Sequence, residues 1–287
     1  MTSKPLFSVL IANYNNGEFL RDAIQSIEQQ TYRNWEIVLV DDGSNDNSKD
    51  ILTQYSKHDK IKVYYNDRNY GCGYKKRRCV ELAEGEIAGF LDADDALTPD
   101  ALEKMVKAHS AHTNASLVYS KTMVCDIHLN ILDRSNYQKP LSPGKTYLES
   151  PVSIVSHFVT FKVDYYKRTP GINPNYLRAV DQDLYFKLEE VGDLVFIDEW
   201  LYMYRQKPNS ISQKGNRMKA RTWEFIARLD ACRRRGLNPE NVIAPLMDDA
   251  LAIHEFYQKS SDYRLGNSLL LPVRMVKKFL GAYNNRS

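Results

Sequence analysis

The feature that most constrains this chain is the apolar run Ile87-Ala88-Gly89-Phe90-Leu91, which stops abruptly in Asp92-Ala93-Asp94-Asp95. A short apolar run asks for a buried strand, and close carboxylates raise one another's pKa unless a cation sits between them. A strand that delivers oxygen ligands to a hard divalent metal at the carboxyl edge of a sheet meets both demands. The competing reading has these acids capping the helix after Pro99, or pairing with Lys75-Lys76-Arg77-Arg78. Three acids on four positions exceed what a cap needs.

The same strand pattern recurs upstream. Residues 7–12 and 36–40 are near-continuous apolar runs, as in parallel strands covered on both faces. Residues 61–65 read as a third strand and 87–91 as the fourth. Between them lie a helix with Phe19, Leu20, Ala23, Ile24 and Ile27 at helical spacing, a helix with Ser48 as its N-cap, and a helix over 74–83. Repeated β-α-β predicts a mostly parallel sheet with helices on both faces and functional residues at the carboxyl ends of the strands. Beyond about residue 113 the pattern weakens: 117–119, 153–163 and 194–197 read as strands, and 181–191 and 241–258 as helices. This predicts a mixed second half of the sheet.

Composition narrows the classes. Apolar residues are 43% and charged residues 26% of the 287, ordinary for a soluble globular chain with one large α/β domain and an extension. No apolar stretch approaches about 18 residues, and residues 1–5 leave no room for a signal peptide before the first strand, so a cytoplasmic location is expected. Cys72, Cys79, Cys125 and Cys232 have neither CxxC nor zinc spacing and read as reduced thiols. Charge is uneven: residues 216–287 carry thirteen Lys/Arg against seven Asp/Glu, and the rest twenty-six against twenty-nine. The basic tail suggests an anionic partner such as a membrane surface. The head lacks a basic face with interleaved aromatics, which argues against nucleic acid. Residues 269–280 place Val273, Val276 and Leu280 on one helical face and Arg274, Lys277 and Lys278 on the other. That is either a helix docked on the core or one lying on the inner face of the cytoplasmic membrane.

Asp41-Asp42, ending the second strand, reads as an Asx turn or as a carboxylate accepting a hydrogen bond from a nucleobase N–H or a ribose hydroxyl. The basic run after Gly71-Cys72-Gly73 reads as a solvated helix face or a phosphate site. Asp181 and Asp183 open a predicted helix ahead of Leu184, Tyr185 and Leu188. They read as helix-dipole acids, or Asp181 as a general base pointing into a cleft. Tyr204 to Ser212 combines cations, hydroxyls and a proline turn, suited to a diphosphate or to an ordinary loop.

In this order and spacing, Val9-Leu10-Ile11-Ala12-Asn13-Tyr14-Asn15, Val40-Asp41-Asp42-Gly43-Ser44, Asn69 to Gly73 and Phe90 to Asp95 resemble family 2 glycosyltransferases of the GT-A fold, over residues 5–212. Ala179 to Leu184, continuing to Gly192, resembles the bacterial chondroitin and hyaluronan-type polymerases within that family. The resemblance implies an α/β fold: a Rossmann-like, nucleotide-binding mixed sheet flanked by helices. Residues 1–112 would form its nucleotide-sugar-binding half, 113–215 its acceptor-side half, and 216–287 a basic helical C-terminal extension. It also implies inverting transfer from a nucleotide-diphosphate sugar, usually a UDP-sugar. The acceptor would be a saccharide or a polyprenyl-diphosphate-linked saccharide in bacterial surface polysaccharide synthesis. Asp41 would contact the base. Asp92 would lie toward the ribose, Asp94 with Asp92 would hold Mn2+ or Mg2+, and Asp181 would be the general base. Ala12, Asn13, Tyr14, Asn69, Lys76, Ala93 and Lys207 would complete the donor site. Two departures stand out. Related chains often carry Arg-Asn at Lys76-Arg77, and a His at Lys207. A protonated lysine cannot ligate a metal, so Lys207 is expected to pair with phosphate directly. Among rivals, a nucleotidyltransferase would release pyrophosphate, and a glycoside hydrolase would need two carboxylates flanking a sugar bond. A non-catalytic sugar-nucleotide binding module would keep Asp41 and the Asp92 cluster without needing Asp181.

Overall fold

The computed structural model describes residues 4–150, 154–207 and 217–246. The chain divides into two compact units, residues 1–239 and 240–287. The described part of the second, 240–246, is helical and covers the start of the helix expected over 241–258; the rest of that helix, the helix expected over 269–280 and the loop after Lys207 lie outside the described residues. No helix among the described residues is long and apolar enough to cross a membrane.

The first half of the fold follows the apolar runs. β1 (Phe7–Asn13) leads to α1 (Gly17–Glu28), which buries Phe19, Leu20, Ala23, Ile24 and Ile27. β2 (Trp35–Asp41) is buried along its whole length and is followed by α2 (Ser48–Thr53), β3 (Ile61–Tyr65), α3 (Cys72–Leu82) and β4 (Ile87–Phe90). β1 pairs in parallel with β2 on one side and β4 on the other, and β2 pairs in parallel with β3. The register sets Asn13 opposite Asp41, and Asp41 opposite Tyr65. The polar ends of the strands therefore gather at one edge, beside β1 where the strand order reverses. Ser48 is the first residue of α2 and not its cap. Its backbone N–H donates to Asp46 Oδ1 at 3.0 Å, while its hydroxyl accepts from Asn13 Nδ2 at 3.0 Å.

The second half contains β5 (Ala96–Leu97), α4 (Ala101–Ala111), β6 (Ala115–Cys125) and β7 (Ile131–Arg134). A 3-10 turn at Tyr147–Glu149 precedes β8 (Val159–Lys162), α5 (Val163–Tyr166), α6 (Val180–Glu189), β9 (Asp193–Arg205) and α7 (Arg217–Arg235). The sheet runs β3-β2-β1-β4-β8-β6-β9-β5, with β7 paired to β6. β8 is antiparallel to β4 and β6, β9 is parallel to β6, and β5 is antiparallel to β9, giving the expected mixed sheet. The strand expected at 117–119 extends over the eleven residues of β6, and that expected at 194–197 over the thirteen of β9. Buried hydroxyls hide this length in the sequence. Ser116 Oγ donates to Asp193 O at 3.2 Å, and Thr122 Oγ1 accepts from Gln138 Nε2 at 2.9 Å. The strand expected over 153–163 shrinks to β8, because the chain breaks at His157, where φ is +57°.

Candidate active site

The floor of the site is the end of β1 and β2. Asn13 Nδ2 donates to Asp41 Oδ1 at 2.6 Å, and Ser44 donates to both oxygens of that carboxylate, from its hydroxyl at 2.6 Å and its backbone N–H at 3.1 Å. Asn13 and Asp41 are buried, and Asn13 Oδ1 has no hydrogen-bond partner. A buried acceptor without a partner is costly, so this atom is suited to a ligand N–H. Asp42 has a different job. It accepts from Asn66 Nδ2 at 2.6 Å, from the Tyr70 N–H at 3.1 Å and from the Gly71 N–H at 2.9 Å, which fixes the turn leading into α3. Asn69 closes that exposed turn by accepting from the Gly71 N–H at 2.9 Å. Gly71 has φ +99°. Two residues on, a Cβ on Gly73 would stand 2.3 Å from the Asn173 carbonyl oxygen, so only glycine lets α3 lie this close.

The basic run does not form one patch. Lys75 lies over the Tyr14 ring, Arg77 pairs with Glu81 at 2.7 Å, and Arg78 donates to Asn66 Oδ1. Lys76 alone turns inward, with its ammonium 2.6 Å from Asp181 Oδ1, 3.8 Å from Asp92 Oδ1 and 4.9 Å from the Phe90 ring centre. Burial pulls its pKa down, but the charges of Asp181 and Asp92 outweigh this and raise it above the ordinary lysine value.

The acid cluster separates by burial. The Asp92 side chain is 50% exposed and that of Asp94 23%, while Ala93 and Asp95 are buried in the core. Asp95 accepts from the Tyr202 hydroxyl at 2.6 Å and from the Arg205 N–H at 2.7 Å. The Tyr202 hydroxyl also accepts from the Asp92 N–H at 3.3 Å, and Arg205 Nε donates to the Asp94 carbonyl at 2.7 Å. β9 therefore stitches the acid loop in place. Burial, reinforced by the charges of Asp92 and Asp94, raises the Asp95 carboxyl well above the usual carboxylate range. Lys207, just past β9, lies 2.5 Å from Asp94 and donates to Asn16 Oδ1 at 2.9 Å.

At the start of α6, Ala179 adopts the left-handed conformation at φ +52°. Residues 181 and 183 then project to different faces. Asp183 is buried against Lys187 Nζ at 2.5 Å, and that ammonium also donates to Gly171 O at 2.8 Å. Asp181, 44% exposed, faces a cavity of about 520 Å³ that it shares with Lys76 and Asp92. Tyr185, His157, Tyr202 and Tyr204 form an aromatic wall, and Arg221 and Glu224 of α7 line the cavity from another side. The His157 ring lies 5.4 Å from that of Tyr202 and 4.7 Å from that of Tyr204. Burial holds this imidazole below its ordinary pKa although Asp92 and Asp181 pull the other way. α7 is rooted by buried Arg228, which donates to the Leu148 carbonyl, to the Ser150 carbonyl at 2.9 Å and to Glu224 at 3.2 Å.

The residues predicted from the sequence thus meet in three groups: Asn13 with Asp41, Asp94 with Lys207, and Lys76 with Asp92 and Asp181. Ala12, next to Asn13, is half-buried, and Asn69 is exposed on the turn before α3. Sequence reasoning missed His157, which falls inside the strand expected over 153–163 and belongs to no motif. It also missed Arg221 and Glu224, which read only as charges on a basic helix. Tyr202 and Tyr204, two apart on one strand face, were open to detection once β9 was seen as long.

Comparison with known proteins bears on the fold and the family. Over 199 residues the chain is 31% identical to a chondroitin synthase of Escherichia coli, covering 69% of this chain and 28% of that protein. The chain therefore spans less than a third of that relative's length. The solved structure of TarS 1-349 of S. aureus in complex with UDP superimposes with a TM-score of 0.65 at 18% identity, over 89% of this chain and 75% of that one. A mannosyltransferase of Pyrobaculum calidifontis in complex with GDP-Man and Mn2+ gives a TM-score of 0.60 at 16% identity, over 96% of this chain and 84% of that one. These likenesses bear out the expected GT-A fold. The profile described as Glycosyl transferase family 2 matches residues 8–168, more than half of the sequence, and the chain belongs to that family.

Proposed function

We propose that this chain is an inverting, metal-dependent glycosyltransferase. It moves a sugar from a UDP-sugar to a saccharide or lipid-linked saccharide acceptor during synthesis of a bacterial surface polysaccharide. The observation that carries this reading is the shared cavity in which Asp92 and Asp181 both approach Lys76. Complexes of fold relatives with UDP and with GDP-Man and Mn2+ support a nucleotide-sugar donor and a divalent ion.

The donor base is taken by Asn13 and Asp41, where the unpartnered Asn13 Oδ1 accepts a base N–H. Asp92 and Asp94 fit a divalent ion. Both are hard oxygen donors and partly exposed, and Mg2+ is ordinarily held by one or two carboxylates with substrate phosphates completing the shell. Among the described residues no group of three or more His, Cys, Asp or Glu is arranged to hold a metal ion by itself. When bound, the ion supplies Lewis-acid neutralisation of the departing diphosphate. Lys207, beside Asp94, adds a second positive charge to that side. Asp181 takes the proton of the acceptor hydroxyl. The hydroxyl oxygen bonds to the anomeric carbon as the bond from that carbon to the diphosphate breaks, and the electron pair leaves with UDP.

The test is Asp181→Asn. Transfer should fall by a factor on the order of 10² or more with donor binding retained. Native turnover in that variant would remove Asp181 from the mechanism. Calorimetry with a panel of nucleotide sugars, with and without Mn2+, identifies the donor and separates the enzyme from a nucleotidyltransferase.

A further inference from the structure

We propose that Lys76 is a positioning residue for the base, tying Asp181 to the donor-side carboxylate Asp92, and not a ligand of the donor phosphates. This rests on the reading of Asp181 as the base. The Lys76 side chain is only 8% exposed. A buried ammonium costs several kcal/mol unless it is paired, and Asp181 and Asp92 are the carboxylates that pair with it. It is therefore committed to those two groups. Its neighbours in the run are committed elsewhere, to Tyr14, Glu81 and Asn66, so no second cation of α3 shares the task.

The bond to Asp181 spans 105 residues and joins α3 of the donor half to α6 of the acceptor half. It grips one carboxylate oxygen, Oδ1. The other oxygen of Asp181 has no partner among the described residues, and the side chain is 44% exposed on the cavity. A base held by one oxygen keeps its second at a fixed position for the incoming hydroxyl, which is the geometry that orientation demands. The Phe90 ring, its centre 4.9 Å from the ammonium, helps keep the lysine end of the pair out of water. Without the ammonium, Asp92 and Asp181 would face the same cavity as two uncompensated acids. The cation suited to diphosphate is instead Lys207, already at Asp94.

The experiment compares Lys76→Met and Lys76→Arg with the native full-length chain. Affinity for UDP in the presence of Mn2+ is measured by calorimetry, and turnover as UDP release from a panel of UDP-sugars at saturating donor. The expected result for Lys76→Met is UDP affinity within about twofold of native and turnover lower by about 10²-fold. Lys76→Arg, which keeps charge and reach, restores most of that turnover. A tenfold or greater loss of UDP affinity with saturated turnover preserved would make Lys76 a donor contact and overturn the proposal. Native values of both quantities would overturn it as well. Should Lys76→Met fail to fold, Lys76→Gln, which keeps a hydrogen bond to Asp181 without the charge, is read in the same way. The underlying reading fails separately: a fully active Asp181→Asn defeats it, whereas an inactive Asp181→Asn beside a native-like Lys76→Met defeats only the role of Lys76.

Discussion

Asp95 shows how little of an acid cluster has to face a ligand. It is adjacent to Asp94 in the chain, yet it is buried and serves Tyr202 and Arg205. The sequence marks three acids and cannot say which turns inward, because that depends on a tyrosine 107 residues away. The same limit hid the inward turn of Lys76, whose four-residue run looks uniform until Asp181 is brought against one member. Tyr202→Phe tests the tether. Losing the hydroxyl leaves Asp95 one donor short and the Asp92 N–H without its acceptor, at a cost of about 1–3 kcal/mol in stability. Affinity for UDP with Mn2+ should fall with it. Tyr119→Phe is the control, since its hydroxyl donates to the Lys139 carbonyl and it does not line the cavity. Equal losses of UDP affinity in the two variants would mean that Tyr202 stabilises the fold without shaping the acid loop.

At the scale of elements, β1, β2 and β4 were legible because strands covered on both faces are largely apolar. β6 and β9 were legible only in part. Their buried serines, threonines and charges are satisfied by partners far along the chain, so no local pattern records them. α6 was legible as a helix, but the division between outward Asp181 and inward Asp183 needed Lys187 and Arg234 in view. α7 was read as the start of a basic extension. It is also a wall of the cavity, and among the described residues Arg221 has no carboxylate partner, whereas Glu224 is held by Arg228. Arg221→Ala should raise the acceptor KM by about tenfold to a hundredfold, the worth of one hydrogen bond to a charged group. Donor KM should stay constant in steady-state assays that vary each substrate in turn. A change confined to donor KM would remove α7 from acceptor binding.

At the scale of the whole molecule, the family profile ends at residue 168, before α6, β9 and α7. The strands β1 to β4 lie within it, and most of the residues lining the cavity lie beyond it. The basic tail is a further module, read from sequence as an amphipathic helix over 269–280. A chain ending at Gly266 should bind vesicles of anionic phospholipid more weakly than the full chain in a sedimentation assay, and the difference should shrink as salt is raised. Equal binding would show that the tail does not address a membrane.

β9 carries a consequence for how such a chain can vary. One strand presents Tyr202 and Tyr204 to the cavity, clamps the acid loop through Arg205, and hands on to Lys207 at Asp94. Side chains alternate along a strand, so a one-residue insertion before Tyr202 would invert every one of these assignments together. The cavity wall and the acid loop share a single reading frame there. The strand can accept substitutions one at a time, but a change of length in it would displace the cavity wall and the acid loop in one step.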